Sequence, residues 1–389
     1  MLLKSFKEKN VVDYRLITTD EALRQVCLRA SGASRVAIDT EFVRTRTLHP
    51  QLGLVQLYDG QDVSLIDPIA ISDLSPLRDL LCNPQVVKIL HACGEDLEVF
   101  QHALGIMPSP MLDTQVMAAF LGHRISTGFG ALVAEYLGVE LDKGEARTDW
   151  LSRPLTEKQC HYAAADVYYL LPMYERLQEK LTAAGWQDAV DAECHQIVVR
   201  RSHVTPPDEL YCDIGNAWQL RPRQLAVLKL LAKWRYHEAE RRDLALNFVV
   251  KEANLWKVAR YMPQSLSDLN NLELENPEIR FHGKTMLAMV QAAKVLPDSE
   301  CPAPLSRLVD NPEYKATLKR VKAFITEQEG VTGLSSELLA SRRQIHQLLS
   351  WTWNYTPEER QHHEQPELLS GWRGALMGER LQQLLEQPA

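Results

Sequence analysis

The stretch VAIDTEFVRT, residues 36–45, decides how the rest of the chain is read. Val36, Ala37 and Ile38 form the apolar start of a buried strand, and Asp39 and Glu41 follow at once. Alternate residues of a strand share a face, about 6–7 Å apart along the chain. The two carboxylates therefore project side by side from the end of an apolar strand. Like charges so placed repel, and burial penalises each ionised form. Such a pair calls for positive charge from elsewhere.

Outward from this strand, segments of two kinds alternate. YRLITT (14–19), LGLVQLYD (52–59), DVSLIDP (62–68) and VVKILHA (86–92) carry strand patterns. DEALRQVCLRA (20–30), LSPLRDLLCN and GEDLEVFQHALG (94–105) read as helices, the last closed by Gly105. LDTQVMAAFLG, GFGALVAEYLG and TEKQCHYAAADVYYLLPMYERLQEKL read as further helices. A strand meander followed by alternation with helices predicts an α/β fold, a mixed sheet flanked by helices. After about residue 200 the pattern changes to short amphipathic helices, interrupted by the Pro-rich joint PDSECPAPL (297–305). The expected domains are 1–205, 210–297 and 303–389, the last two all-α.

Composition narrows the class. At 389 residues, 45% hydrophobic and 24% charged, the chain is a globular protein of two or three domains. The start MLLKSFKEKN lacks an apolar core of signal-peptide length, and no apolar run has the length of a membrane span. A soluble, cytoplasmic protein is expected. The seven cysteines (27, 82, 93, 160, 194, 212, 301) are scattered and form no C-x-x-C pair, which argues for free thiols and against a zinc site. The net charge of −8 argues against nucleic acid as a partner only until local patches are considered.

Two further acids join the first pair. Asp96 stands in the first turn of the helix after VVKILHA, where the helix dipole favours a carboxylate. Asp166 lies in a helix started by a capping box, Thr156 with Gln159. Tyr162 precedes Asp166 by four residues and shares its face. Acids converging from a strand end, a helix start and a helix interior suit hard divalent cations with oxygen ligands, Mg²⁺ or Mn²⁺. Two such ions serve phosphodiester hydrolysis by activating water and stabilising the leaving oxygen. Each residue also has a plainer role to play: a turn for Asp39 and Glu41, a helix-start acid for Asp96, core packing for Tyr162. The joint pattern carries the argument.

DTEFVRTRTLHPQLGLVQL, LHACGEDLEVF and CHYAAADVYYLLPMYERL resemble the three exonuclease motifs of the DEDD superfamily, in its tyrosine-bearing branch. The resemblance implies a ribonuclease H-like sheet and a 3′→5′ exonuclease. It implies Asp39, Glu41, Asp96 and Asp166 as ligands of two divalent ions, with Tyr162 orienting the attacking water. His161 is adjacent to Tyr162 but about 100° away around the helix, so it is expected to be peripheral. Arg44, Arg46, Lys143 and Trp150 are candidate substrate contacts, and Asp113 a helix cap.

Residues 215–295 hold 13 Lys and Arg against 8 Asp and Glu, so positive charge is segregated there. This segment resembles an HRDC domain, a helical module shared by RecQ-type helicases and exoribonucleases, and residues from about 305 resemble a degenerate second copy. Gly283 and Lys284, in FHGK, are candidate phosphate contacts through a backbone amide and a charge. The expected activity is a metal-dependent exoribonuclease trimming tRNA precursors and other structured RNAs, as a monomer with no obligate protein partner. A DNA exonuclease and a non-catalytic RNA-binding protein are the alternatives.

Overall fold

The computed structural model of the chain describes residues 12–142 and 144–386. They group into two compact units: one comprises residues up to Val43, Pro50–Ser202 and everything from Glu313, the other Arg44–His49 with His203–Pro312.

The first unit is built on β1 (Arg15–Ile17), α1 (Asp20–Ala30), β2 (Arg35–Val43), β3 (Gln51–Tyr58), β4 (Val63–Ile66), α2 (Ser75–Cys82), β5 (Val87–Leu90) and α3 (Gly94–Leu104). It continues with β6 (Met111–Asp113), α4 (Thr114–Phe120), α5 (Phe129–Leu137), α6 (Glu157–Tyr168), α7 (Leu170–Ala184) and α8 (Gln187–Ser202). The six strands form one mixed sheet in the order β1-β4-β3-β2-β5-β6. The β2-β3-β4 meander is antiparallel, while β1, β5 and β6 run parallel to their neighbours. Val36, Ala37 and Ile38 are fully buried, so the apolar half of β2 anchors the strand at the sheet's centre.

Three elements differ from the sequence reading. The expected helix at LDTQVMAAFLG begins as the three-residue strand β6, too short to show an alternating pattern; Asp113 then caps α4 by accepting from the Gln115 amide at 2.8 Å. The long helix expected from Thr156 to Leu181 divides at Tyr169. Pro172 lacks the N–H that would bond the Tyr168 carbonyl, so the first helix cannot run through it. Helix α8 has no marked stripe in sequence, because its buried residues (Ala189, Val190, Glu193, Cys194) lie in its first half only.

The second unit holds α9 (Pro222–Arg242), α10 (Leu246–Val249), α11 (Glu252–Tyr261), α12 (Leu266–Asn271) and α13 (Asn276–Val295) around a core that includes Leu225, Leu228, Leu231, Leu255, Val258, Met286 and Val290. Residues 44–49, the connection between β2 and β3, belong to it: Ala245 N donates to the Arg46 carbonyl at 2.8 Å, and Leu48 packs on the helical core.

The C-terminal helices are α14 (Tyr314–Thr332), α15 (Ser336–Leu339), α16 (Arg342–Asn354), α17 (Pro357–Arg360), α18 (Gly371–Arg373) and α19 (Glu379–Glu386). They pack within the first unit. Trp372 meets Phe120 edge-on with centroids 5.1 Å apart. Arg373, only 6% exposed, pairs with Glu193 at 2.5 Å and donates to the carbonyls of Leu338 (2.8 Å) and Leu339 (3.0 Å). Removing Arg373 leaves the buried Glu193 only its looser contact with Arg200 at 3.5 Å and takes the donor from the Leu338 and Leu339 carbonyls. Arg373→Ala is therefore expected to cost about 3 kcal/mol, read as a lower midpoint in a urea melt. A loss within about 0.5 kcal/mol would show that the contact does not hold these helices in place.

Candidate active site

Strand β2 brings Asp39 and Glu41 to one face, and α6 brings Asp166 over them. One oxygen from each of the three carboxylates lies within 4.8 Å of the others. Asp96, on the first turn of α3, stands beside this group and receives a hydrogen bond from the Thr40 hydroxyl, which points to the other face of β2. Three acids thus form a tight cluster, and the fourth is held next to it by the residue between the first two.

The electrostatics of the cluster follow from burial and crowding. Burial, then the charges of Asp96, Asp166 and Glu41, hold Asp39 well above the usual carboxylate range. The same causes push Glu41 up to about 9, with burial first and Asp166 and Asp96 next. Burial raises Asp166 to about 7, offset in part by a hydrogen bond from the Tyr162 hydroxyl. Asp96 rises by burial to about 6 despite the Thr40 hydrogen bond, which favours its ionised form. Tyr162 is pushed up by burial and by the three acids around it, so its phenol stays protonated and acts as a donor. The charges acting on Asp39 and Glu41 are those of other acids. An all-oxygen donor set under mutual repulsion fits a hard divalent cation, which removes the repulsion that raises these groups.

Local sequence explains how α6 is delivered. Thr156 and Gln159 make the expected capping box, at 3.2 and 3.0 Å, and Gln159 also donates to the Thr148 hydroxyl. The loop before α6 is clamped by Arg153, which binds Asp67 through two nitrogens (2.7 and 2.8 Å) and reaches the carbonyl of Gly53 at 2.6 Å. Opposite Glu41 and Phe42, β3 offers Leu54 and Leu52, so Gly53 is the extra residue of a bulge. A Cβ on Gly53 would lie 2.6 Å from the Trp150 carbonyl oxygen. Trp150 is buried and faces Tyr162, with ring centroids 6.1 Å apart. Gly53→Ala is expected to displace this loop, lower stability by about 1–3 kcal/mol and reduce kcat through Tyr162. Thermal melts and steady-state kinetics check both; wild-type values in the two would remove the bulge from the account.

The turn before α3 is built by a residue read only as a helix cap. Asp113 accepts from the amides of Ala92 (3.0 Å) and Cys93 (2.9 Å) as well as from Gln115. Ala92 has a positive φ of 53°, which costs a side-chain-bearing residue energy, and Asp113 offsets it. Asp113, Arg153 and Gly53 are positioning residues that sequence reasoning missed. Only Asp113 had carried a signal, its place before a helix.

His161 turns away, pairing with Glu157 at 3.5 Å and meeting Tyr14 edge-on. In the helical unit the Arg46 guanidinium lies 5.0 Å from the centre of the Phe248 ring, and Arg44 contacts the Leu48 carbonyl at 3.5 Å. Lys143 lies outside the described residues. Gly283 corrects an expectation: it is buried in the middle of α13, so its amide serves the helix and is not free for a phosphate. A Cβ there would lie 2.8 Å from Leu266 and 3.3 Å from Leu269, which makes it a helix-packing glycine. Lys284 beside it is exposed.

A mixed sheet of this order, with a carboxylate cluster at its central strand, defines a 3′→5′ exonuclease of the DEDD type, a metal-dependent fold. Residues 14–182 match the family described as 3'-5' exonuclease, residues 224–290 the HRDC domain, and residues 312–381 the ribonuclease D C-terminal HRDC domain. Ribonuclease D of Serratia proteamaculans is 56% identical over 96% of this chain and 100% of its own length. That of Escherichia coli is 53% identical over 97% of this chain and 99% of its own. The crystal structure of Escherichia coli RNase D, described as an exoribonuclease involved in structured RNA processing, superposes with a TM-score of 0.93 over 97% of this chain and 100% of that one. The chain belongs to the ribonuclease D family, and it is a 3′→5′ exoribonuclease. Among the described residues no helix is long and apolar enough to cross a membrane.

Proposed function

We propose that this exoribonuclease trims the 3′ ends of tRNA precursors and other structured RNAs by two-metal hydrolysis, releasing nucleoside 5′-monophosphates. The observation that carries the mechanism is the convergence of Asp39, Glu41 and Asp166 oxygens within 4.8 Å. In this reading those three hold one Mg²⁺ or Mn²⁺ ion, and Asp39 with Asp96 serves a second. Bound divalent charge supplies an activated water and neutralises the phosphoryl oxygens. Tyr162 orients the attacking water by hydrogen bonding, with its ring steadied against Trp150. Asp96, fixed by Thr40, keeps its carboxylate directed at the reacting end. The product leaves as a single nucleotide because the chemistry occurs at a chain terminus.

The structured-RNA part of the proposal draws on the printed description of the Escherichia coli protein. The sequence-based domain division, 1–205, 210–297 and 303–389, enters as part of it: the helical segments contact RNA while the first domain cuts, Lys284, Arg44 and Arg46 contributing charge. The free state of all seven cysteines supports a reducing, cytoplasmic location, and we take the active form as a monomer.

A time course on 3′-extended tRNA and on single-stranded DNA, with Mg²⁺, Mn²⁺ or EDTA, tests this. Stepwise shortening of the RNA, dependent on metal, is expected; preference for DNA would overturn the substrate. Tyr162→Phe is expected to lower kcat by about 10–100-fold with KM and Mn²⁺ affinity unchanged. A wild-type kcat would remove the hydroxyl from the mechanism.

A further inference from the structure

Gln56, third from the end of β3, has no exposure at all. Its strand partner in the antiparallel β2-β3 ladder is Asp39. Directly opposed residues project from the same face, with Cβ atoms about 4.5–5.5 Å apart. Gln56 therefore stands on the side of the sheet that carries Asp39 and Glu41, the side covered by α6. Among the described residues, neither its Nε2 nor its Oε1 has a hydrogen-bond partner. A wholly buried carboxamide with both polar atoms unmatched is costly, since an unmet buried donor carries its full desolvation penalty. Packing alone gives no reason for it: a methionine has nearly the same shape, carries no such penalty, and fits an apolar strand better.

The neighbourhood supplies a reason. Asp39, directly opposite Gln56 in the ladder, belongs to the group of three carboxylates whose oxygens lie within 4.8 Å of one another. A carboxylate that binds a cation works best when its free oxygen is held by a donor that fixes its direction. The residue directly across the β2-β3 ladder from Asp39 is Gln56, whose side-chain amide is a donor.

We propose that Gln56 is a positioning residue for the metal site, its Nε2–H donating to the Asp39 carboxylate once a divalent cation is held there and so fixing the direction of that group toward the ion. Both polar atoms of Gln56 lack partners in the structure, so a hydrogen bond made with the ion in place offsets a desolvation penalty that the side chain otherwise carries. This inference rests on the reading of Asp39 as a metal ligand, and its test separates the two.

The test compares wild type, Gln56→Met, Gln56→Leu and Asp39→Asn, using Mn²⁺ itself as the probe. Mn²⁺ affinity is measured by titration calorimetry, and thermal midpoints are taken in EDTA. Gln56→Met is expected to weaken Mn²⁺ binding by about 10–100-fold, the size typical of a lost partner to a metal ligand. Its metal-free midpoint is expected to equal or exceed that of wild type, by up to about 6 °C, because two unmatched polar atoms are removed. In kinetics at saturating Mn²⁺, kcat falls while KM for RNA stays unchanged. Gln56→Leu keeps the test available if methionine disturbs the packing. Unchanged Mn²⁺ affinity in both variants, or a lower metal-free midpoint in both, would overturn the proposal, the second by showing a packing role. Asp39→Asn isolates the premise. If it leaves Mn²⁺ binding intact, the ligand assignment itself fails; if it abolishes binding while the Gln56 variants bind normally, only the role of Gln56 is lost.

Discussion

Asp39→Asn should leave a folded protein that no longer hydrolyses RNA. Asp39 is the acid on which every neighbour converges: Asp96, Asp166 and Glu41 all act on it, and burial is the largest single influence. An amide at this position keeps the size and shape of the side chain but removes the charge that attracts a cation. A loss of about three orders of magnitude in kcat, some 4 kcal/mol of transition-state stabilisation, is the expected scale for removing a ligand of this kind. Stability should move the other way. The substitution removes one member of a repelling group, so the midpoint of the metal-free protein should match or exceed that of wild type. Activity assays on RNA with Mg²⁺ and melts in EDTA read the two effects separately. Residual hydrolysis above a tenth of wild type would place the chemistry elsewhere.

The second large effect is a coupling of metal, pH and stability. In the metal-free fold Glu41, Asp166 and Asp96 stand at about 9, 7 and 6, all above the ordinary carboxylate range. A group raised in the folded state holds protons that the unfolded chain has released. The stability it contributes is present at pH values below the unfolded pKa, near 4, and is lost as pH climbs toward the folded value. Between pH 5 and 9 the metal-free protein should therefore lose stability from this cluster as pH rises. Mg²⁺ or Mn²⁺ should restore it by an amount that grows with pH, with protons released on binding. Other groups titrate in this range, so the comparison is with Glu41→Gln, whose metal-free midpoint should fall less steeply. A metal-induced shift that is constant from pH 6 to 9, with no proton release in calorimetry, would contradict this.

The parts of the fold that were legible in sequence are those with period and punctuation. The VAID run, the alternating strands and Gly105 after α3 gave local signals strong enough to set element type. Thr156 and Gln159 marked the start of α6 because a capping box depends on four adjacent residues. The convergence of Asp39, Glu41 and Asp166 was legible as a joint pattern, since an acid pair on a strand end is costly enough to need a partner. What stayed hidden depends on contacts between distant segments. β6 is three residues long and is defined by pairing with β5. Arg153 finds Asp67 and Gly53 only through folding. Gly53 reads as an ordinary strand interruption until Trp150 is placed against it. Gly283 shows the reverse: a glycine beside a lysine suggested an anion site, and the structure uses it to let α12 approach α13.

The most direct test of the metal-site account is anomalous scattering from crystals grown with Mn²⁺. The account predicts two peaks: one bounded by carboxylate oxygens of Asp39, Glu41 and Asp166, the other on the Asp39 and Asp96 side. Peaks at any other cluster, or none at millimolar Mn²⁺, would contradict it.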